Sequence, residues 1–148
     1  MRRFILTLAL ACVSFFFFGS AIAQSAPAPA DDALYRAFGQ KAGLQALMED
    51  FFDRLKADAR TAPFFKDTNR ANLVEQLTDQ LCQLSGGPCT YKGAPMDKAH
   101  RDLDIAKRDF NALVEVLQQS MDAKGIAFAD QNRMLARLAP MHREIVTK

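Results

Sequence analysis

The sequence predicts a small all-α protein with one folded domain. Apolar residues recur every three to four positions along most of residues 31–148, which is the period of a helix buried on one face. No segment shows the apolar–polar alternation that predicts a half-buried strand. Glycines and prolines separate the periodic segments, and the domain is long enough for a single hydrophobic core.

Residues 1–23 have the pattern of a secretory signal peptide. Arg2 and Arg3 precede an apolar run over residues 4–18, and Ala21-Ile22-Ala23 places small residues before the expected cleavage site. We predict cleavage before Gln24 and an exported, periplasmic protein. The apolar run of about 15 residues is short for a membrane span of roughly 20, although a retained N-terminal anchor is the alternative.

Residues 24–30 form an Ala/Pro-rich tether between the signal peptide and the domain at residues 31–148. The full chain contains 19 basic and 17 acidic residues, and removal of Arg2 and Arg3 leaves 17 of each. A domain without net charge does not favour nucleic-acid binding, which usually requires a basic face. The balance also gives no support for attraction to an anionic membrane surface.

Two of the three cysteines, Cys82 and Cys89, lie outside the signal peptide. An even pair in an exported protein favours a disulfide, and these two flank the short loop QLSGGP. We predict an intramolecular disulfide Cys82–Cys89, which would contribute roughly 2–3 kcal/mol by restricting the unfolded chain. Two free thiols are the alternative.

The domain begins with a short helix and a long one. Asp31 to Phe38 forms the first helix, and the stretch from Gly39 to Gly43 is expected to break it. The second helix ends near Pro63, before a turn that contains Phe64-Phe65. Its inward face consists of Leu44, Leu47, Met48, Phe51, Phe52 and Leu55.

Thr68 or Asn69 can cap the third helix, which stops at Gly86-Gly87. Its inward stripe consists of Leu73, Leu77, Gln80, Leu81 and Leu84. A long loop then reaches Met96, where a very short helix carries His100. A loop of this length inside a compact domain is often functional.

Two more helices complete two antiparallel pairs, from Ile105 to Lys124 and from Asp130 to Val146. Pro140 predicts a kink or a register shift in the last helix, because proline lacks the backbone N–H. The inward positions are Phe110, Leu113, Val114, Leu117 and Met121 on the first, and Met134, Leu135, Leu138, Met141, His142 and Ile145 on the second.

The chain contains two histidines, His100 and His142. Neither has the spacing of a zinc site such as HxxxH or HExxH, and no CxxC pair, P-loop or nucleophile motif is present. Haem requires only one axial histidine and otherwise apolar surroundings, which this chain can supply. A lone histidine is more often structural, so composition leaves the choice open.

Three segments carry a family resemblance: LYRAFG, EDFFDRLKADARTAPFFKDTN and LSGGPCTYKGAPMDKAHRDLDI. Together they resemble the group I truncated haemoglobins, the short two-over-two globins, over Leu34 to Val146. The most specific part is the Tyr-x-Gly and Met-x-x-x-His unit. It follows the Phe-Phe corner at the distance that the family would have. The resemblance implies a globin-like two-over-two helical sandwich that holds haem b.

The resemblance also implies a role for individual residues. His100 would be the proximal ligand, with Nε2 on the iron and the other ring nitrogen held by an acceptor. Phe65 would wedge the haem, and Tyr91 would order the loop near a propionate. Further apolar haem contacts would come from Met96, Ile105 and Phe110.

The chain departs from the family on the gas-binding side. Phe52 stands where many members carry a tyrosine donor, and Leu73 and Leu77 stand at positions that often carry polar donors. We therefore expect an apolar distal pocket. Loss of a hydrogen bond of about 1–3 kcal/mol would speed O2 release by roughly one to two decades. Gln76 or Gln80 could replace the donor by turning inward.

No histidine stands at the matching distal positions, which predicts a five-coordinate ferrous iron open to O2, CO or NO. The segment APMHREIV places His142 where some cyanobacterial members carry a histidine that becomes covalently attached to a haem vinyl. The alternative is a semi-buried His142 with a hydrogen-bond partner.

These expectations describe a haem protein that reversibly binds O2 or another diatomic gas, and not an enzyme. The alternative is a haem enzyme for NO detoxification or peroxide chemistry. It would need an external reductase, and for peroxide an acid–base group near the iron, and the sequence shows neither. A helical interaction module without haem is a third alternative.

Overall fold

The computed structural model describes residues 31–148, which fold into helices and contain no strand, so the all-α fold class is confirmed. The predicted signal peptide and tether lie outside the described residues. Helices of 18 or fewer residues follow in this order: α1 Ala33–Ala37, α2 Gln40–Ala57, a 3-10 turn Ala62–Phe65, α3 Arg70–Leu84, α4 Met96–Ala99, α5 Lys107–Ala123, α6 Phe128–Leu138, a 3-10 turn Ala139–Met141 and α7 His142–Ile145.

Helix α2 lies at the centre of the domain and packs against both α3 and α5, while α6 packs against the same two helices. Helices α2 and α3 thus face α5 and α6. The inward stripe of α2 is buried throughout, and Leu44, Leu47 and Leu55 are fully buried. Each such leucine contributes about 1.5–3 kcal/mol by leaving water. None of the helices in residues 31–148 has the length and apolarity needed to span a membrane.

The break between α1 and α2 is shorter than the sequence suggested. Gly39 and Gln40 turn the chain with positive φ values of 73° and 59°, and α2 begins at Gln40. Gly43 lies inside the first turn of α2, where an added Cβ would lie 2.1 Å from the carbonyl oxygen of Phe38. The expected break from Gly39 to Gly43 is therefore wrong: Gly43 permits close packing within a helix.

Helix α3 is capped by Asn69 and not by Thr68. The Asn69 side-chain oxygen accepts a hydrogen bond from the backbone N–H of Asn72 at 2.9 Å, which satisfies one of the unpaired donors of the first turn. Within the predicted stripe, Gln80 and Leu81 are buried, whereas Leu73 and Leu77 remain partly accessible. The accessible pair faces the cavity described below.

The final helical segment bends at Pro140, as predicted. Helix α6 ends at Leu138, a 3-10 turn carries Pro140, and α7 starts at His142. Helix α6 begins at Phe128 and not at Asp130, because the carbonyl of Ala127 already accepts the Asp130 N–H at 2.9 Å.

Helix α5 begins at Lys107, two residues later than expected. The Asp109 carboxylate accepts the backbone N–H of Ala106 at 3.0 Å and thereby caps the helix there.

The predicted disulfide is present and joins the last turn of α3 to the following loop. The Cα atoms of Cys82 and Cys89 lie 5.7 Å apart, within the usual range for a disulfide. Cys82 is fully buried, and Cys89 packs against the same core. The free-thiol alternative is therefore wrong for this structure.

Candidate functional site

A cavity of about 590 Å³ lies between the helices, and it is lined by residues from α2, α3, α5, α6 and the segment that carries His100. Its volume falls within the range of typical small-molecule and cofactor sites. Most of the lining side chains are aliphatic or aromatic. The cavity can therefore enclose a large planar apolar molecule.

His100 follows α4 directly and exposes its ring to this cavity. Its Nδ1 lies 2.9 Å from the carbonyl oxygen of Met96. Because a carbonyl oxygen only accepts, Nδ1 must carry the proton, and Nε2 is left with the lone pair that can bind a metal. Such a hydrogen bond also fixes the orientation of the ring.

The lining fits haem. The porphyrin supplies four nitrogens to the iron, so the protein needs to supply only one axial imidazole. In the described part of the chain, no group of three or more His, Cys, Asp or Glu residues could hold a metal ion directly. The single nitrogen of His100 among apolar walls is the donor set expected for haem.

Tyr91 orders the loop between α3 and α4. Its hydroxyl donates to the carbonyl of Ala94 at 3.1 Å, and its backbone N–H donates to the side-chain oxygen of Gln83 at 2.6 Å. An added Cβ at Gly93 would lie 2.2 Å from the Tyr91 hydroxyl oxygen, so a side chain there would displace the tyrosine ring from its present position. Burial raises the pKa of Tyr91, so the hydroxyl remains a donor.

The structure brings most of the candidate site residues to this one cavity. Its lining includes Phe65, Leu73, Leu77, Tyr91, Met96, His100, Ile105 and Phe110. These residues come from the 3-10 turn, α3, the loop, the His100 segment and the start of α5. Two candidates, Phe52 and His142, do not line it.

Phe52 is buried on a different side of α2. Its ring lies under the guanidinium of Arg70, at 5.8 Å from the ring centroid. Phe51 and Met48 line the cavity in its place. Adjacent helix positions point about 100° apart, so the side chain of Phe52 turns away from the part of the cavity that Phe51 lines.

His142 is not one of the residues that line the cavity. Its ring meets that of Phe110 edge-on, with centroids 4.8 Å apart and planes at 81°. Phe110 is the residue that reaches the cavity. His142 is partly buried, and the structure shows no side-chain hydrogen bond for it among residues 31–148.

Both candidate donor glutamines line the cavity, but they differ in burial and in the hydrogen-bond partners of their side-chain amides. Gln80 is buried, and its amide nitrogen lies 3.8 Å from the sulfur of Met96 and 3.6 Å from that of Met141. Thioether sulfur is a weak acceptor, so this amide retains donor capacity. Gln76 is partly buried, and its side chain forms no hydrogen bond to the other described residues.

Sequence reasoning missed Met48 and Phe51 as site residues. A further pair, Leu135 and Leu138, lines the cavity from α6. All four belong to inward stripes that the sequence identified. A stripe shows which face is buried, but it does not separate core contacts from cavity contacts.

A family model described as bacterial-like globin matches residues 33–147. A group 1 truncated hemoglobin of Nostoc sp. is 30% identical over 115 residues, covering 78% of this chain and 98% of that relative. The crystal structure of the truncated hemoglobin from Tetrahymena pyriformis, Fe(III) form, matches with a TM-score of 0.74 and 29% identity, over 78% of this chain and 98% of that one.

A more distant likeness supports the fold alone. The crystal structure of the 2/2 hemoglobin from Synechococcus sp. PCC 7002, in the cyanomet state and with covalently attached heme, has a TM-score of 0.72. It is 21% identical and covers 78% of this chain and 98% of that one. Its helical arrangement agrees with two helices facing two others.

Proposed function

Because the chain belongs to the bacterial-like globin family, we propose that His100 binds haem iron and that the other wall of the cavity receives a diatomic gas. One observation carries this proposal: Nδ1 of His100 lies 2.9 Å from the carbonyl oxygen of Met96, which leaves the lone pair of Nε2 available to bind a metal. Bound haem would supply an iron that takes up O2, NO or CO reversibly.

The chain's own residues determine how tightly a gas is held. Leu73 and Leu77 supply the apolar part of the wall that α3 contributes. Gln76 and Gln80 are the polar side chains of α3 that can donate to a polarised gas. A second imidazole is absent from the described lining, which supports a site with one protein ligand and an open gas position.

The haem is proposed to be haem b without a covalent bond to the chain. His142 does not line the cavity, and its ring packs edge-on against Phe110 with centroids 4.8 Å apart, which supports a packing role. Extraction with acidified acetone should remove all of the haem. Haem that stays with the protein after extraction would contradict this part of the proposal.

Gas binding is favoured over an enzymatic role. Asp109 is the only carboxylate among the described lining residues, and it caps α5 by accepting the Ala106 N–H at 3.0 Å. Because its carboxylate already caps the helix, Asp109 is poorly placed to act as an acid–base group. A reductase partner, which NO detoxification would need, stays a prediction.

We also propose that the protein works in an oxidising, extracytoplasmic compartment such as the periplasm. Two features support this location. Residues 1–23 have a signal-peptide pattern, and Cys82 and Cys89 form a disulfide, which persists mainly in oxidising compartments.

The test replaces each histidine in turn. His100→Ala should abolish the Soret band of protein purified from haem-supplemented cells, because no other described lining residue is an imidazole. His142→Ala is the matched control and should retain the band at full haem stoichiometry. The proposal fails if His100→Ala keeps the wild-type spectrum, or if wild type binds no haem.

A further inference from the structure

The segment that carries His100 has few backbone connections to the rest of the fold. After the N–H of Gly87, which donates to the carbonyl of Cys82 at 2.8 Å, no backbone–backbone hydrogen bond involves residues 88–94. The next backbone hydrogen bond to a distant part of the fold comes after His100, where the carbonyl of Ile105 accepts the N–H of Thr147 at 3.0 Å. Side chains must therefore hold the stretch between them.

Helix α3 holds this stretch through its last turn. Cys82 is bonded to Cys89, and the side chain of Gln83 accepts the backbone N–H of Tyr91 at 2.6 Å. One turn earlier, the amide of Gln80 contacts the sulfur of Met96 at 3.8 Å, just before His100. The disulfide is the only covalent member of this set.

The same helix also forms a cavity wall. Leu73 and Leu77 line the cavity from α3, and His100 lines it from the tethered segment. Helix α3 is therefore connected to both sides of the proposed haem site. The distance between the wall and the imidazole depends on how firmly the loop is held against α3.

We propose that the Cys82–Cys89 disulfide is a positioning element for His100, one that fixes the loop on α3 and so holds the imidazole at the haem iron. This inference rests on the proposed function. When the bond opens, the hydrogen bonds that remain between α3 and residues 88–96 are those of Gln83 to Tyr91 and of Gln80 to Met96, so His100 is held less firmly against α3. Outer groups that orient a metal ligand typically change metal affinity by about 10–100-fold.

The test uses Cys89→Ala in the full mature, haem-loaded protein, because Cys89 is partly buried while Cys82 lies in the core. Haem transfer to excess apomyoglobin should become roughly tenfold faster than in wild type. The iron–histidine stretching band in the resonance Raman spectrum of the ferrous protein should also shift or broaden. A purely structural role of the disulfide would leave that band unchanged.

Gln131→Ala is the matched control for general loss of stability. Gln131 is buried, its amide donates to Asp122 at 2.8 Å, and it does not line the cavity. Its removal should lower the melting temperature but leave the Raman band in place. Haem transfer from this variant should stay within about twofold of wild type.

Reduction provides a second route that needs no substitution. A dithiol reductant transfers two electrons and two protons to the disulfide, giving two thiols and an oxidised dithiol. This treatment should speed haem transfer in wild type and have no further effect on Cys89→Ala. The inference is overturned if Cys89→Ala transfers haem at the wild-type rate, or if Gln131→Ala reproduces both of its effects. Failure of wild type to bind haem would instead overturn the proposed function.

Discussion

In the proposed function, the ring of His100 is already oriented for the haem iron before the cofactor binds. The carbonyl of Met96 holds Nδ1 at 2.9 Å, so the ring has one tautomer and one orientation. A free imidazole on a flexible loop would have to lose its torsional freedom on binding, and would bind more weakly. The short helix α4 thus acts as a frame for a single side chain.

Leu77 provides the residue-scale test of the apolar wall. Leu77→Gln places an amide donor at a lining position of α3. One hydrogen bond to bound O2 of about 1.4 kcal/mol should slow O2 release about tenfold. Stopped-flow measurement of O2 dissociation checks this. Leu77→Met has a similar volume without a donor and should release O2 at nearly the wild-type rate.

Sequence periodicity predicts that both adjacent phenylalanines of α2 are buried, but it does not predict which of them lines the cavity. Phe51 and Phe52 lie on the same inward stripe, so periodicity identified both as buried. Which of them faces the cavity depends on how α2 is rotated against α3, and this is set by tertiary packing. The position of His100 at the cavity was predictable because its motif, and not its periodicity, singled it out.

At the element scale, the turn after α2 is held by a cluster of charges. Arg60 donates to both carboxylate oxygens of Asp58, the nearest at 2.8 Å, and to Glu115 of α5 at 2.6 Å. The side-chain hydrogen bond from Arg60 lowers the pKa of Asp58 to about 2. The cluster connects the end of α2 to α5 across the surface.

Asp58→Asn tests this cluster through the pH dependence of stability. A carboxyl with a lowered pKa stabilises the fold above its unfolded pKa of about 4, and this contribution is lost as the pH falls toward 2. Wild type should melt above the variant near pH 6, and the two melting temperatures should converge near pH 2. Asp67→Asn removes an exposed carboxylate elsewhere and should follow wild type throughout; a constant difference for Asp58→Asn would contradict the prediction.

Local chemistry explains which element boundaries could be predicted. Pro140 interrupts a helix wherever it stands, because its ring removes a donor and blocks the preceding carbonyl. A glycine such as Gly43 can either end a helix or lie inside one. Which of these occurs here depends on how closely the backbone of Phe38 approaches. The sequence predicted the Pro140 bend and misassigned Gly43 for this reason.

At the scale of the whole molecule, the sequence predicts a mature chain that begins at Gln24. Intact-mass analysis of protein from a periplasmic extract should show loss of residues 1–23 and two hydrogens fewer than the reduced chain, because Cys82 and Cys89 are bonded. An Ala23→Arg variant should accumulate uncleaved, since the small residue before the site is lost. An uncleaved wild-type chain would contradict the prediction and favour the retained anchor.

The cavity also links cofactor supply to the amount of folded protein. Its lining combines residues as distant in the chain as Met48 and Ile145, which meet only after folding. Haem therefore binds the folded chain in preference to the unfolded one, and each tenfold rise in free haem above its Kd adds about 1.4 kcal/mol to the free energy of unfolding. Where proteases remove unfolded chains, the abundance of this protein should follow the haem that its compartment provides.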